Sequence, residues 1–177
     1  MMMSRRQLGL VLVAPVLAPA QAGATGIDRL REETRPVPAL SFTDAAGAAH
    51  DFSRFAGRGL VVNLWATWCP PCVAEMPALD RLAAMVADEG IEVLALSSDR
   101  GGTPVVEAFY QRLGLRNLGI WLDPRAAAAR ALGARGLPTT VLIDRSGQER
   151  GRLVGEAEWD APPLVAAVRR LAGAGGA

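Results

Sequence analysis

Two cysteines flank two prolines, Cys69-Pro70-Pro71-Cys72, at the junction between an almost continuous apolar run and a helix-patterned segment. No other feature of the chain constrains its fold as strongly. Upstream, Leu60-Val61-Val62-Asn63-Leu64-Trp65 reads as a strand buried on both faces. Downstream, residues 70–89 read as a helix, with Val73, Met76, Leu79, Leu82, Ala83 and Val86 on one stripe and Gly90 as its stop. Ile91 to Leu96 is a second buried strand. Strand, helix and strand joined by links this short make a right-handed parallel crossover. In open α/β sheets, sites lie beyond the carboxyl ends of the strands, which is where the cysteines fall.

The remaining pattern extends this unit into one α/β domain with a mixed sheet. Ala39–Thr43 and Ala48–Phe52 flank an Asp44-Ala45-Ala46-Gly47 turn and predict a hairpin, which places His50 on a surface hairpin. Thr103-Pro104 predicts a capped helix with Val105, Val106, Phe109, Tyr110 and Leu113 inward. Leu118–Leu122 predicts a short strand, and Asp123-Pro124 opens an Ala-rich helix to Leu132, closed by Gly133. Thr139–Ile143 and Gln148–Val154 flank an Asp144-Arg145-Ser146-Gly147 turn. Asp160 is the expected cap of a last helix, with Leu164, Val165, Val168 and Leu171 inward.

The ends read differently. Residues 1–22 carry Arg5-Arg6, a short apolar stretch from Leu8 to Ala18, and small-residue cleavage patterns around Ala20 and Ala22. That is the layout of a secretory signal peptide, with a possible twin-arginine variant. The stretch is short against the roughly 20 apolar residues that span a bilayer. Uncleaved, it would serve as a membrane anchor. Residues 23–37 read as a polar linker, 38–172 as the domain and 173–177 as a flexible tail. Export points to the periplasm, where disulfides persist.

Composition excludes more than it selects. The 177 residues carry a net charge of +1, falling to −1 without Arg5 and Arg6, so no nucleic-acid partner is expected. One histidine and two cysteines leave little for a zinc site or a histidine-dependent nucleophile. No metal and no cofactor beyond the cysteine pair are expected, and the chain is expected to be a monomer.

A disulfide closing so small a loop constrains the unfolded chain little, so a structural staple is a poor reading of the pair. A redox site has a mechanism. At a helix start, orphan N–H groups and the helix dipole favour negative charge, which lowers the pKa of Cys69 and makes it the nucleophile. Pro70 and Pro71 have no N–H but suit the first helical turn, which leaves the Cys72 amide to face the Cys69 sulfur. Cys72, further in, resolves a mixed disulfide. Trp68 is a flat apolar cover beside the nucleophile.

Trp65-Ala66-Thr67-Trp68-Cys69-Pro70-Pro71-Cys72 resembles the active-site segment of thioredoxin-fold proteins, and Gly136-Leu137-Pro138-Thr139-Thr140 resembles their cis-proline loop. More narrowly, the leader, the early hairpin and the insertion near residues 101–132 resemble TlpA-like thiol:disulfide reductases. The resemblance covers about Val37 to Leu171. It implies a thioredoxin-like fold: a central mixed sheet flanked by helices, with an N-terminal β-hairpin and a central βα insertion. It implies a cis bond before Pro138, with the backbone of Leu137 pairing with an extended client, and a proline that keeps metals from the thiols.

Glu75, three residues beyond Cys72, has two readings: a first-turn acid that suits the dipole, or a proton acceptor for Cys72 and a tuner of both thiol pKa values. Similar proteins of the TlpA-like group have an acid at this spacing. Asn63 departs from the resemblance, because thioredoxin has a buried aspartate there that handles the proton of the second cysteine. The departure strengthens the case for Glu75. Pro77 matches a helix-kinking proline, and the Thr139 and Thr140 hydroxyls are assigned to the sheet. The function implied is a periplasmic dithiol reductase of client disulfides. The implied clients are apocytochrome c or copper-site assembly proteins, and the implied electron donor is a membrane carrier of the DsbD or CcdA type. An oxidase or isomerase runs the same chemistry in the opposite direction. A copper-binding or chaperone-like module is the third alternative, and it lacks Met or His clusters near the thiols.

Overall fold

The computed structural model describes residues 25–175, so the leader reading of residues 1–22 lies outside it. Eight strands form one sheet in the order β1-β8-β7-β4-β5-β6-β2-β3. They are β1 (Arg31–Pro36), β2 (Phe42–Asp44), β3 (Ala49–His50), β4 (Gly59–Trp65), β5 (Ile91–Ser97), β6 (Trp121–Leu122), β7 (Thr139–Ile143) and β8 (Gln148–Val154). The helices are α1 (Pro70–Val86), α2 (Thr103–Leu113), α3 (Ala127–Ala131) and α4 (Pro162–Ala172).

The central strand β4 is buried at every position, as its apolar run requires. It pairs parallel with β5 and antiparallel with β7, and β5 pairs parallel with β6. Alternation along β4 divides the interior into two layers. Val61 and Trp65 pack with α1, α2 and α4, and Leu60, Val62 and Leu64 pack with α3 and with Phe42 and Phe55 of the N-terminal region. The predicted hairpin forms as β2 and β3, and β2 continues the sheet by pairing with β6 of the insertion. Gly59 is required where β4 enters the sheet, since a Cβ there would lie 2.2 Å from the Ala172 carbonyl oxygen.

Several sequence expectations are corrected. Residues 31–36, read as linker, form β1 and pair antiparallel with β8. Their side chains are exposed or half-buried, so no apolar alternation marks them as a strand. Ile27 and Leu30 pack against the core, which moves the start of the domain ahead of residue 38. His50 is not simply a surface residue. Its Nε2 lies 2.8 Å from Asp44 Oδ2, and its ring meets Trp121 edge-on at 5.6 Å.

Thr103 does not cap α2. Gly102 takes that position in the left-handed region, and the Thr103 hydroxyl donates to the Ala45 carbonyl, tying α2 to the hairpin. Val105 and Leu113, expected to face inward, are exposed. Asp160 does not cap α4. Ala161 precedes that helix, and Asp160 accepts from Arg81 of α1 instead. Asp123 does hold the start of α3, accepting from the Ala127 and Ala129 amides at 2.7 and 3.1 Å.

Candidate redox site

The β4 chain leaves the sheet at Trp65, whose ring packs against Phe109 and Tyr110 of α2. The loop that follows is fastened to the end of β5. Asp99 is buried and accepts from the Thr67 amide at 2.9 Å, the Thr67 hydroxyl at 2.7 Å and the Ser97 hydroxyl at 2.7 Å. Cys69 then occupies the N-cap of α1, with Pro70 and Pro71 exposed in the first turn. Its carbonyl accepts the first helical bond, from the Val73 amide at 3.0 Å.

Cys69 and Cys72 are joined by a disulfide with their Cα atoms 5.3 Å apart. The two cysteines are not equivalent: Cys69 keeps 6% exposure and Cys72 has none. Only Cys69 offers itself to a partner. Trp68 beside it is 67% exposed, an unusual position for a large indole. The Leu137–Pro138 peptide bond is cis. Pro138 directly precedes Thr139, which pairs with Leu64, so this loop lies across from the end of β4 that leads to Cys69. Trp68 and Leu137 line one cavity. The Thr139 hydroxyl donates to the Gly136 carbonyl at 2.8 Å and so holds the loop.

The surroundings of Glu75 bear on both of its readings. It lies past the first turn of α1, where the dipole contribution fades, and it is 2% exposed. Its Oε1 accepts from Asn63 Nδ2 at 2.7 Å, and its Oε2 from the Ala157 amide at 3.0 Å and Trp159 Nε1 at 2.9 Å. Burial pushes its pKa up to about 7, and the three donors offset only part of that effect. A carboxyl group poised near neutrality, three residues along the helix from the buried sulfur, suits proton exchange with Cys72. Asn63 bridges Glu75 to the Thr140 hydroxyl at 2.9 Å, so this hydroxyl does more than serve the sheet. Asn63 cannot take a proton itself; it positions the group that can.

Sequence reading assembled Cys69, Cys72, Glu75, Trp68, Pro70, Pro71, Leu137 and Pro138. It missed Trp159, Ala157 and Asp99. The Trp159–Glu75 contact spans 84 residues, and no local periodicity signals it. Asp99 had a signal in its place just past the carboxyl end of β5.

A sheet of this topology with a dithiol pair at a helix start defines a thioredoxin-like thiol:disulfide oxidoreductase. Residues 32–168 match the Redoxin family, and the chain belongs to it. It is 36% identical over 120 residues to the thiol-disulfide oxidoreductase ResA of Geobacillus kaustophilus, covering 67% of each chain. It is 30% identical over 122 residues to the ResA of Bacillus thuringiensis (strain Al Hakam), covering 69% of each. Among solved structures, the exposed lipoprotein thioredoxin Etrx1 of Streptococcus pneumoniae superposes with a TM-score of 0.63 at 25% identity, over 76% of this chain and 100% of that one.

Proposed function

We propose that this oxidoreductase is an exported dithiol reductase, with Glu75 as the proton acceptor of its second cysteine. The observation that carries the reading is a solvent-reachable Cys69 joined to a sealed Cys72, with a buried carboxyl group of pKa about 7 three residues further along α1.

In the dithiol state the Cys69 thiolate attacks one sulfur of a client disulfide, forming a mixed disulfide and releasing the other client sulfur as a thiolate. Glu75 takes the Cys72 proton. The Cys72 thiolate attacks Cys69, the Cys69–Cys72 disulfide forms, and the second client sulfur leaves as a thiolate. The client gains two electrons and the pair loses two, and the Glu75 proton passes on to the released thiolates or to solvent. The Leu137 backbone at the cis-proline is the pairing site for an extended client. A membrane carrier of the DsbD or CcdA type would restore the dithiol. Clients whose cysteines must be reduced outside the cytoplasm, such as apocytochrome c or copper-site assembly proteins, suit this direction. The leader-like residues 1–22 support a periplasmic location, and likeness to an exposed lipoprotein thioredoxin supports a place outside the cytoplasm. No helix among the described residues is long and apolar enough to cross a membrane. A single copy holds every group the cycle uses.

The test is the redox state in cells. Alkylation trapping is expected to find Cys69 and Cys72 mostly as thiols; a fully oxidised pair would reverse the direction to oxidase. Cys72→Ser is expected to accumulate mixed disulfides through Cys69, and mass spectrometry of these names the client.

A further inference from the structure

A cavity of about 700 Å³ opens beside the redox pair, lined by the loops after β4 and β5, the α3 segment and the loop before β7. Trp68 and Leu137 belong to its wall, the residues directly before the nucleophile Cys69 and the cis-proline Pro138 in the chain. Arg100, Arg125, Arg130 and Arg135 line it too, all exposed, and no carboxylate does.

This charge is concentrated: four of the twelve residues lining the cavity are arginine. The net charge of the whole chain is +1. Several arginines elsewhere are matched by acids, Arg35 and Arg152 with Glu149, Arg150 with Asp144, Arg169 with Glu89 and Arg170 with Glu32, and those without an acid are scattered over the chain. None of the ion pairs among the described residues engages the four arginines of the groove, whose one internal tie is from Arg130 to the Arg125 carbonyl. The two nearest acids in sequence are buried and committed: Asp99 to Thr67 and Ser97, Asp123 to the amides of α3. Four like charges beside an exposed indole repel one another until an anionic partner arrives.

We propose that this groove selects clients by charge, seating an acidic, extended segment that flanks the client's disulfide, with an apolar side chain against Trp68. The inference rests on the dithiol-reductase reading and adds the chemical class of its substrate. Charge complementarity of this kind acts chiefly on the rate of encounter, by tenfold or more at low salt.

The experiment uses the reduced full-length protein and three synthetic peptides with one common intramolecular disulfide, flanked by Glu, Gln or Lys. Rates at low ionic strength are expected to fall in the order Glu, Gln, Lys, with about tenfold between the extremes. At about 1 M salt, where screening reaches ~3 Å, the spread is expected to collapse. Arg125→Glu combined with Arg135→Glu, which brings the four groove charges from +4 to zero, is expected to abolish the spread. Arg31→Glu, on β1, is expected to preserve it. Each variant is scored by the ratio of its own rates, so partial misfolding cannot imitate the result, and Arg125→Gln, which adds no repulsion, is expected to shrink the ratio in the same direction. Rates indifferent to flanking charge would overturn the groove and leave the reductase standing. Failure to reduce any of the three peptides would overturn the reductase reading and the groove with it.

Discussion

At the scale of single residues, the site brings together two cysteines of unequal burial and one buried carboxyl group. Cys69, Cys72 and Pro138 were legible in sequence because a short segment carries each signal. Glu75 was legible as a candidate but not as a decision, since its burial comes from β4 and from the segment before α4. Two substitutions test its setting. Trp159→Phe keeps an aromatic ring but removes the Nε1 donor. Loss of a hydrogen bond to the charged form is expected to raise the Glu75 midpoint by roughly one pH unit, read from its infrared carboxyl band. An unmoved midpoint would mean that the donor contributes nothing to the ionised form. Asn63→Asp places a second carboxyl group 2.7 Å from Glu75, at the position where thioredoxin keeps its own acid. The two are expected to titrate as a coupled pair whose upper step lies above the wild-type midpoint.

At the scale of elements, patterns strong in sequence became elements where they were read: β4, α1, β5, β7 and β8. The misreadings share a physical cause. β1 is an exposed edge strand of charged and polar residues, and only its partner β8 makes it a strand. The caps of α2 and α4 were misassigned because Thr103 and Asp160 bond across the fold, to Ala45 and Arg81, rather than locally. Asp80 shows how one side chain can shape an irregular segment. It is buried on α1 and accepts from the amides of Arg116, Asn117 and Leu118 and from Asn117 Nδ2, at 2.7 to 3.2 Å. That holds the turn between α2 and β6 against α1. Asp80→Ala leaves those donors unanswered and is expected to cost about 3 kcal/mol, a fall in Tm of about 10 °C. Asp80→Asn preserves an oxygen for the three backbone amides and loses chiefly the bond to Asn117 Nδ2. Its expected cost is about 1 kcal/mol. Equal losses in calorimetry would show that charge rather than acceptor geometry holds the turn.

At the scale of the whole molecule, Glu75 couples the chemistry of the site to the stability of the fold. Its carboxyl group has a pKa of about 7 when folded, against a value of 4.5 for an unburied one. Between those two pH values the folded chain holds a proton that the unfolded chain has released. Stability must therefore fall as pH rises across that window. Full expression of the shift amounts to about 3 kcal/mol. Other groups act in both directions: Asp144 and Glu149 are held below their ordinary values by hydrogen bonds and arginines that outweigh burial, and Asp123 is pushed up by burial. The raw pH profile of stability therefore mixes several contributions, and the comparison with Glu75→Gln isolates one. Gln turns one acceptor into a donor facing Asn63, Ala157 or Trp159, which adds a cost that does not vary with pH. The difference in unfolding free energy between the two proteins is thus expected to shift by about 3 kcal/mol in favour of Gln as pH rises from 4.5 to 7, and to be flat outside that range. Urea titrations of the oxidised proteins across that range measure it directly. A pH-independent difference would place the Glu75 midpoint near 4.5 and remove its claim to exchange protons with Cys72 at neutral pH.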